Sequence, residues 1–312
     1  MAQSTLDNGV GDNGVGRVGL SGLIRLIARL RHRPTPLLGP PLPPGVPEPL
    51  APLSDKASGP DSLTILQWLW GPGYVIPGGA DHVLTLTRPL GLSSAMTLLD
   101  VSAGLGGPIR AIVASCNAHA SGLERDPELA RIGMAMSTAQ GQARRAPIAV
   151  FDPESFDLKS GHYDCVLGRE VVYAVREKER FLRVLRQGLK TQGQLVLTDF
   201  LIDRARGGEA VLAAWEGVQP YPPHLWTLER YVDCLKSLGF EIRLTEDMSA
   251  GYRAMIVAAW SGLLSRPELA QLPRSHFRLV LDEAERTMLT LKALDGALRM
   301  YRIYALARRS IS

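Results

Sequence analysis

Cysteine is scarce in these 312 residues: Cys116, Cys165 and Cys234 are the three present, and they lie far apart. With no CxxC pair among them, a disulfide framework and a zinc ribbon are both excluded, and a reduced, cytoplasmic protein is the expectation. No apolar run approaches the roughly 18 residues of a membrane span. The first 19 residues have no apolar core, which argues against a secretory leader. The six histidines show no H-x-x-x-H or facial-triad spacing, so no metal is expected. A formal charge of +4 is mild for this length and gives no basic stripe, so nucleic acid is not an expected partner. The Gly-Lys-Ser/Thr ending of a phosphate loop is also missing.

Proline, by contrast, is concentrated. Ten of the 22 fall between Pro34 and Pro60, the composition of a semi-rigid extended linker. Before it, DNGVGDNGVGRVG (Asp7 to Gly19) is a glycine-rich near-repeat that reads as disordered. Between the two, Leu20, Leu23, Ile24, Ile27 and Leu30 recur at helical spacing with Arg25 and Arg29 on another face. This short amphipathic helix, about 20–33, is suited either to packing or to peripheral contact with an anionic membrane surface. Residues 1–60 are thus an N-terminal arm, and 61–312 the folded domain.

In that domain, strand-like runs alternate with helical stretches. Strands are predicted at Thr97–Val101, His119–Glu124, Pro147–Phe151, Tyr163–Gly168, Gln194–Asp199, Phe240–Leu244 and Leu298–Ala307. Helices are predicted over Pro108–Ser115, Pro127–Ala139 and Lys178–Leu189. This order implies an α/β fold with a mostly parallel sheet covered on both faces. Two stretches, about 202–226 and 249–295, exceed the minimal unit and are expected as insertions over the carboxyl ends of the strands, where such sheets bind ligands.

The turn after the first strand reads LLDVSAGLGGPIRAIV. Its glycines, Gly104, Gly106 and Gly107, do not make a dinucleotide fingerprint, because the position three after Gly106 is Ile109. Small residues at 102, 104 and 106 still let a ligand lie against backbone. Glu124, ending the second strand, is placed to accept two ribose hydroxyls. Asp152, ending the third, is placed to accept from an adenine amino group. A ribose and an adenine without a phosphate grip point to S-adenosylmethionine.

These residues resemble the class I S-adenosylmethionine-dependent methyltransferases over about 65–245, which implies a Rossmann-like seven-stranded sheet. The resemblance implies that Asp100, Ser102, Gly104 and Gly106 line the methionine and ribose portion. It also implies Glu124 at the ribose, Arg125 over an adenine face, and Asp152 with Pro153 at the adenine edge. WGPGYVIPGG (Trp70 to Gly79) is similar to a segment of the phosphoethanolamine-type and sarcosine/dimethylglycine-type N-methyltransferases that closes over the cofactor, implying Tyr74, Val75 and Ile76 there. YDCVLGREVVYAV (Tyr163 to Val175) is similar to that family's Ser-Arg-Asp motif. This implies Arg169 at the cofactor and Glu170 where the family has a catalytic aspartate. The histidine that phosphobase members carry four residues on is Ala174 here.

Methyl transfer from a sulfonium needs alignment at about 3–3.5 Å and, for an amine or hydroxyl acceptor, a group to take a proton. The candidates are Glu170, then Asp199, then Tyr173. A helix-N-terminal carboxylate is the structural alternative for Glu170. Tyr221 and His224 are candidates for the acceptor pocket, while Tyr252 and Trp260 read as core. The expected function is methylation of a small molecule, an amine favoured, yielding S-adenosylhomocysteine. The alternatives are carbon or oxygen methylation of a lipid, quinone or natural product, and a cofactor-binding protein without catalysis.

Overall fold

The computed structural model describes residues 62–308. The arm assigned to 1–60, its helix at about 20–33 and the boundary at 61 lie outside the described residues. Seven strands form one sheet: β1 (Thr97–Asp100), β2 (His119–Glu124), β3 (Ile148–Val150), β4 (Tyr163–Arg169), β5 (Leu189–Ile202), β6 (Phe240–Asp247) and β7 (Leu298–Ala307). Their order is β3-β2-β1-β4-β5-β7-β6. Pairing is parallel from β3 through β5, and β7 runs antiparallel between β5 and β6. The expected α/β architecture is the one found.

Sequence explains why the strands sit where they do. In β4, Cys165 through Arg169 are all buried, the continuous burial expected of a parallel strand covered on both faces. Leu99, Val101, Val166, Leu197, Phe240 and Ile303 from the sheet side join Phe181, Leu185 and Tyr231 from the covering helices in one core. β5 is longer than expected at both ends: Leu189 pairs with Tyr163 of β4, and beyond Asp199 the pairing with β7 continues to Ile202 opposite Leu298. That antiparallel pairing carries the strand past its parallel neighbour.

Among the described residues, ten α-helices flank or cap the sheet: α1 (Ser62–Trp70), α2 (Gly79–Thr87), α3 (Gly107–Cys116), α4 (Pro127–Ala139), α5 (Lys178–Gly188), α6 (Glu209–Glu216), α7 (Leu228–Ser237), α8 (Ser249–Leu264), α9 (Pro267–Ala270) and α10 (Arg274–Asp295). The start of α4 shows how locally these are specified. Asp126 caps it by accepting from the N–H groups of Glu128 and Leu129, and Pro127 supplies the first helical position. α6 and the loop after it fall within the first insertion, and α8, α9 and α10 within the second. Among the described residues, no helix is long and apolar enough to cross a membrane. Strand order reverses between β1 and β4, so their carboxyl ends open a crevice, the usual ligand position in such sheets.

Candidate active site

The turn that follows β1 is fastened from three sides. Asp100, fully buried, accepts from both the backbone N–H (2.9 Å) and the hydroxyl (2.8 Å) of Ser102. The same Ser102 oxygen accepts the backbone N–H of Arg169 at 2.8 Å. Serine therefore stands where a glycine is commoner because its hydroxyl joins the end of β1 to the end of β4. The third fastening is Glu124, which accepts from the N–H of Gly104 at 2.7 Å and of Asp126 at 2.9 Å. Burial pushes both carboxyls, Asp100 and Glu124, above the ordinary range.

A cavity of about 430 Å³ opens over this turn, within the range of small-molecule sites. It brings together most of the sequence-selected residues. Tyr74, Val75, Ile76, Ser102, Gly104, Glu124, Arg125, Arg169, Glu170, Tyr173 and Tyr221 all line it. Tyr74 and its neighbours reach it because Gly73 accepts from the N–H of Gly107 at 3.0 Å, tying the segment after α1 to the start of α3. Gly104 has φ +54°, and a Cβ there would stand 3.1 Å from Val75 Cγ2, narrowing the floor.

Other selected residues are placed elsewhere. Asp100 lies beneath the turn, held to Ser102, and is not in the cavity wall. Gly106, at φ +79°, serves packing: a Cβ would meet Ile148 Cδ1 at 2.5 Å and Arg110 Nη1 at 2.6 Å. Asp152 and Pro153 do not line the cavity, and the Asp152 carboxylate instead accepts from the Ser155 hydroxyl and the Glu154 N–H, closing its own turn. His224 is exposed and contributes a backbone N–H to the Tyr173 carbonyl at 2.7 Å. Asp199 is buried behind the wall, where it accepts the Tyr173 N–H at 3.0 Å. Lys178, also buried, donates to the carbonyls of Tyr173 and Val175. Burial drives the Asp199 carboxyl up and the Lys178 ammonium down.

The cavity has two chemical ends. At one, the Arg125 guanidinium stacks on the Tyr221 ring with 3.4 Å to its centroid, so Tyr221, expected in the acceptor pocket, stands instead beside the arginine expected at the adenine, and Glu124 is the nearby carboxylate. Between the ends lie Tyr74 and Arg169; the Tyr74 hydroxyl and the Arg169 Nε and Nη1 are buried without a hydrogen-bond partner among the described residues. At the other end stand Glu170, Tyr173, Tyr252 and, from α10, Glu283 and Arg286.

Glu170 is the geometric exception of the site. It takes φ +52°, a left-handed conformation that costs a side-chain-bearing residue about 1–3 kcal/mol and concentrates at functional positions. Its N–H is tied to the Thr198 carbonyl at 2.7 Å, and the Tyr252 hydroxyl donates to its carboxylate. Burial raises its carboxyl to about 7, against the lowering pull of the Tyr252 hydrogen bond and the Arg169 and Arg286 charges.

Sequence reasoning reached Glu170 and Tyr173 at this second end and missed the rest. Tyr252 reads as core by spacing, and it is indeed buried, but its hydroxyl faces Glu170. Glu283 and Arg286 sit on a long helix whose i,i+3 charges look like an ordinary solvated face. No motif marks them; only the packing of α10 does.

Residues 80–245, more than half of the chain, match the family model described as "Methyltransferase domain". The chain belongs to this family, and its class is that of the class I methyltransferases. Among curated proteins, phosphoethanolamine N-methyltransferase 2 of Caenorhabditis elegans is 20% identical over 193 residues, covering 61% of this chain and 43% of its own length. Among solved structures, phosphoethanolamine N-methyltransferase 2 of Haemonchus contortus, in complex with phosphomonomethylethanolamine and S-adenosylhomocysteine, superposes with a TM-score of 0.71. It is 18% identical, over 80% of this chain and 58% of that one. A Galdieria sulphuraria protein assigned as a sarcosine dimethylglycine methyltransferase gives a TM-score of 0.66 at 13% identity, over 80% of this chain and 99% of that one. The chain thus spans less than two thirds of the length of the phosphoethanolamine methyltransferases it resembles.

Proposed function

We propose that this chain binds S-adenosylmethionine in the cavity over the β1 turn and methylates a small-molecule acceptor, with an amine the acceptor the geometry favours. The residues present suit the cofactor. Arg169, with two buried and unpartnered N–H groups, would take its carboxylate. Glu124 would accept from the ribose, and the Arg125–Tyr221 stack would flank the base. The cofactor supplies an electrophilic methyl on a sulfonium. The chain's own part is to exclude water, align the acceptor and accept a proton.

Glu170 is the observation that carries the reading. An ammonium has no lone pair, so an amine acceptor must lose a proton before its nitrogen can attack. A carboxylate that titrates near 7 takes that proton at physiological pH. The new carbon–nitrogen bond forms as the carbon–sulfur bond breaks, the electron pair stays on sulfur, and S-adenosylhomocysteine is the co-product. Tyr252 holds the Glu170 carboxylate in orientation, and Tyr173 walls the acceptor side.

Carbon or oxygen methylation of an apolar natural product is the second reading. It is favoured by the aromatic and aliphatic wall of Trp70, Phe200 and Ile256. A mass-spectrometric turnover screen with amines and phenols at matched apolar size separates the two. Methylated amines support the first reading. Phenols alone support the second. Cofactor binding with no product from any acceptor would sink both.

A further inference from the structure

Whether the acceptor carries a negative charge depends on which cations the second end of the cavity leaves free. Arg125 and Arg169 belong to the cofactor end by the reading above, on which this inference rests. That leaves Arg286 as the guanidinium lining the acceptor end, beside two carboxylates, Glu170 and Glu283.

Arg286 is already paired along one edge. Its Nε lies 3.0 Å from Glu283 Oε2, and its Nη2 lies 2.7 Å from each Glu283 oxygen. The pair sits one turn apart on α10, with side-chain exposures of 31% for arginine and 10% for glutamate. The Thr287 hydroxyl donates to the Glu283 carbonyl at 2.6 Å, fastening the same turn. One edge of the guanidinium fork, the edge that recognises a carboxylate or phosphate side-on, is therefore filled from within the chain. A guanidinium in an aromatic wall is costly unpaired, so the pair is held for its own sake as well.

We infer that the Glu283–Arg286 pair is a specificity filter that excludes phosphorylated and carboxylated acceptors, so the substrate is a neutral or cationic amine with an apolar body. An anion entering here would meet Glu170 and Glu283, and could take the side-on edge of Arg286 only by displacing Glu283. A cation with an apolar body meets Glu170 and the rings of Trp70, Phe200 and Tyr252, which suit it. Removing the Glu283 charge would free the Arg286 fork and invert the preference.

The test uses the full chain saturated with S-adenosylhomocysteine and titrated calorimetrically with tyramine and with O-phosphotyramine, which differ by one phosphate. The wild type is expected to bind O-phosphotyramine at least about tenfold more weakly than tyramine, if it binds it at all. Glu283→Gln is expected to improve O-phosphotyramine affinity by about tenfold or more, and adding Arg286→Met should abolish the gain. The inference is overturned if the wild type binds O-phosphotyramine as tightly as tyramine. It is equally overturned if Glu283→Gln gains no affinity for it. The wild-type comparison needs no variant to fold. Failure of the wild type to bind S-adenosylhomocysteine is a separate result and strikes the cofactor reading instead.

Discussion

The Ser102 hydroxyl accepts the Arg169 N–H at 2.8 Å and donates to the Asp100 carboxylate at 2.8 Å, so one oxygen bridges the ends of β1 and β4 at the point where strand order reverses. Ser102→Ala removes both bonds and leaves the buried Asp100 carboxyl with fewer partners. The expected cost is about 1–3 kcal/mol in urea unfolding. Affinity for S-adenosylhomocysteine should fall as well, because Arg169 loses an anchor. Unchanged stability would mean that the bridge is incidental.

Glu170 should set an acid limb. Its carboxyl is raised to about 7 and must be ionised to take a proton, so kcat/KM is expected to rise with pH through about 7 and level off above it. A neighbouring sulfonium favours the ionised form, so the corresponding limb in kcat should lie at lower pH. Glu170→Gln should lower kcat by about 10²-fold or more while leaving cofactor affinity within a few-fold. An unchanged profile in the variant would make Glu170 structural.

The Tyr252 hydroxyl acts on the proton transfer through Glu170, while its ring lines the cavity. Tyr252→Phe removes the hydroxyl that lowers the Glu170 pKa, so the acid limb should move upward in pH, with a smaller loss of kcat than Glu170→Gln. A pH profile that does not move would contradict the hydrogen bond's role.

Asp199 lies behind the wall, so its loss should be felt as stability before chemistry. Asp199→Asn removes the negative charge that acts on the buried Lys178 and weakens the hold on the Tyr173 N–H. A loss of about 1–3 kcal/mol in denaturant unfolding is expected, with S-adenosylhomocysteine affinity within a few-fold. Abolished turnover at full stability would return Asp199 to the reacting centre.

Local signals carried the cofactor half of this picture. The strands that end in Asp100 and Glu124, the small residues at 102 and 104, and the tyrosine segment near Tyr74 are contiguous motifs whose spacing is fixed by backbone geometry. Most of the acceptor half beyond Glu170 and Tyr173 was illegible because it is assembled at long range: Tyr252 and Arg286 lie 34 positions apart on α8 and α10 and meet because both helices pack against β7 and against each other. Asp152 misled for a different reason. An acid at a strand end is equally a turn-closing residue, and its own Ser155 and Glu154 take the carboxylate. Asp199 did the same, since a strand-end acid points to one face or the other, and the bond it accepts from the Tyr173 N–H holds it on the buried one.

Titration of the purified chain with S-adenosylhomocysteine, beside the Glu124→Ala variant, tests the central claim most directly. Glu124 is the cavity-wall carboxylate placed for the ribose, and its hydrogen bonds also hold the turn. Micromolar binding by the wild type and a loss of about tenfold or more in the variant are expected. A folded wild type that does not bind, or a variant that binds equally well, would contradict the claim.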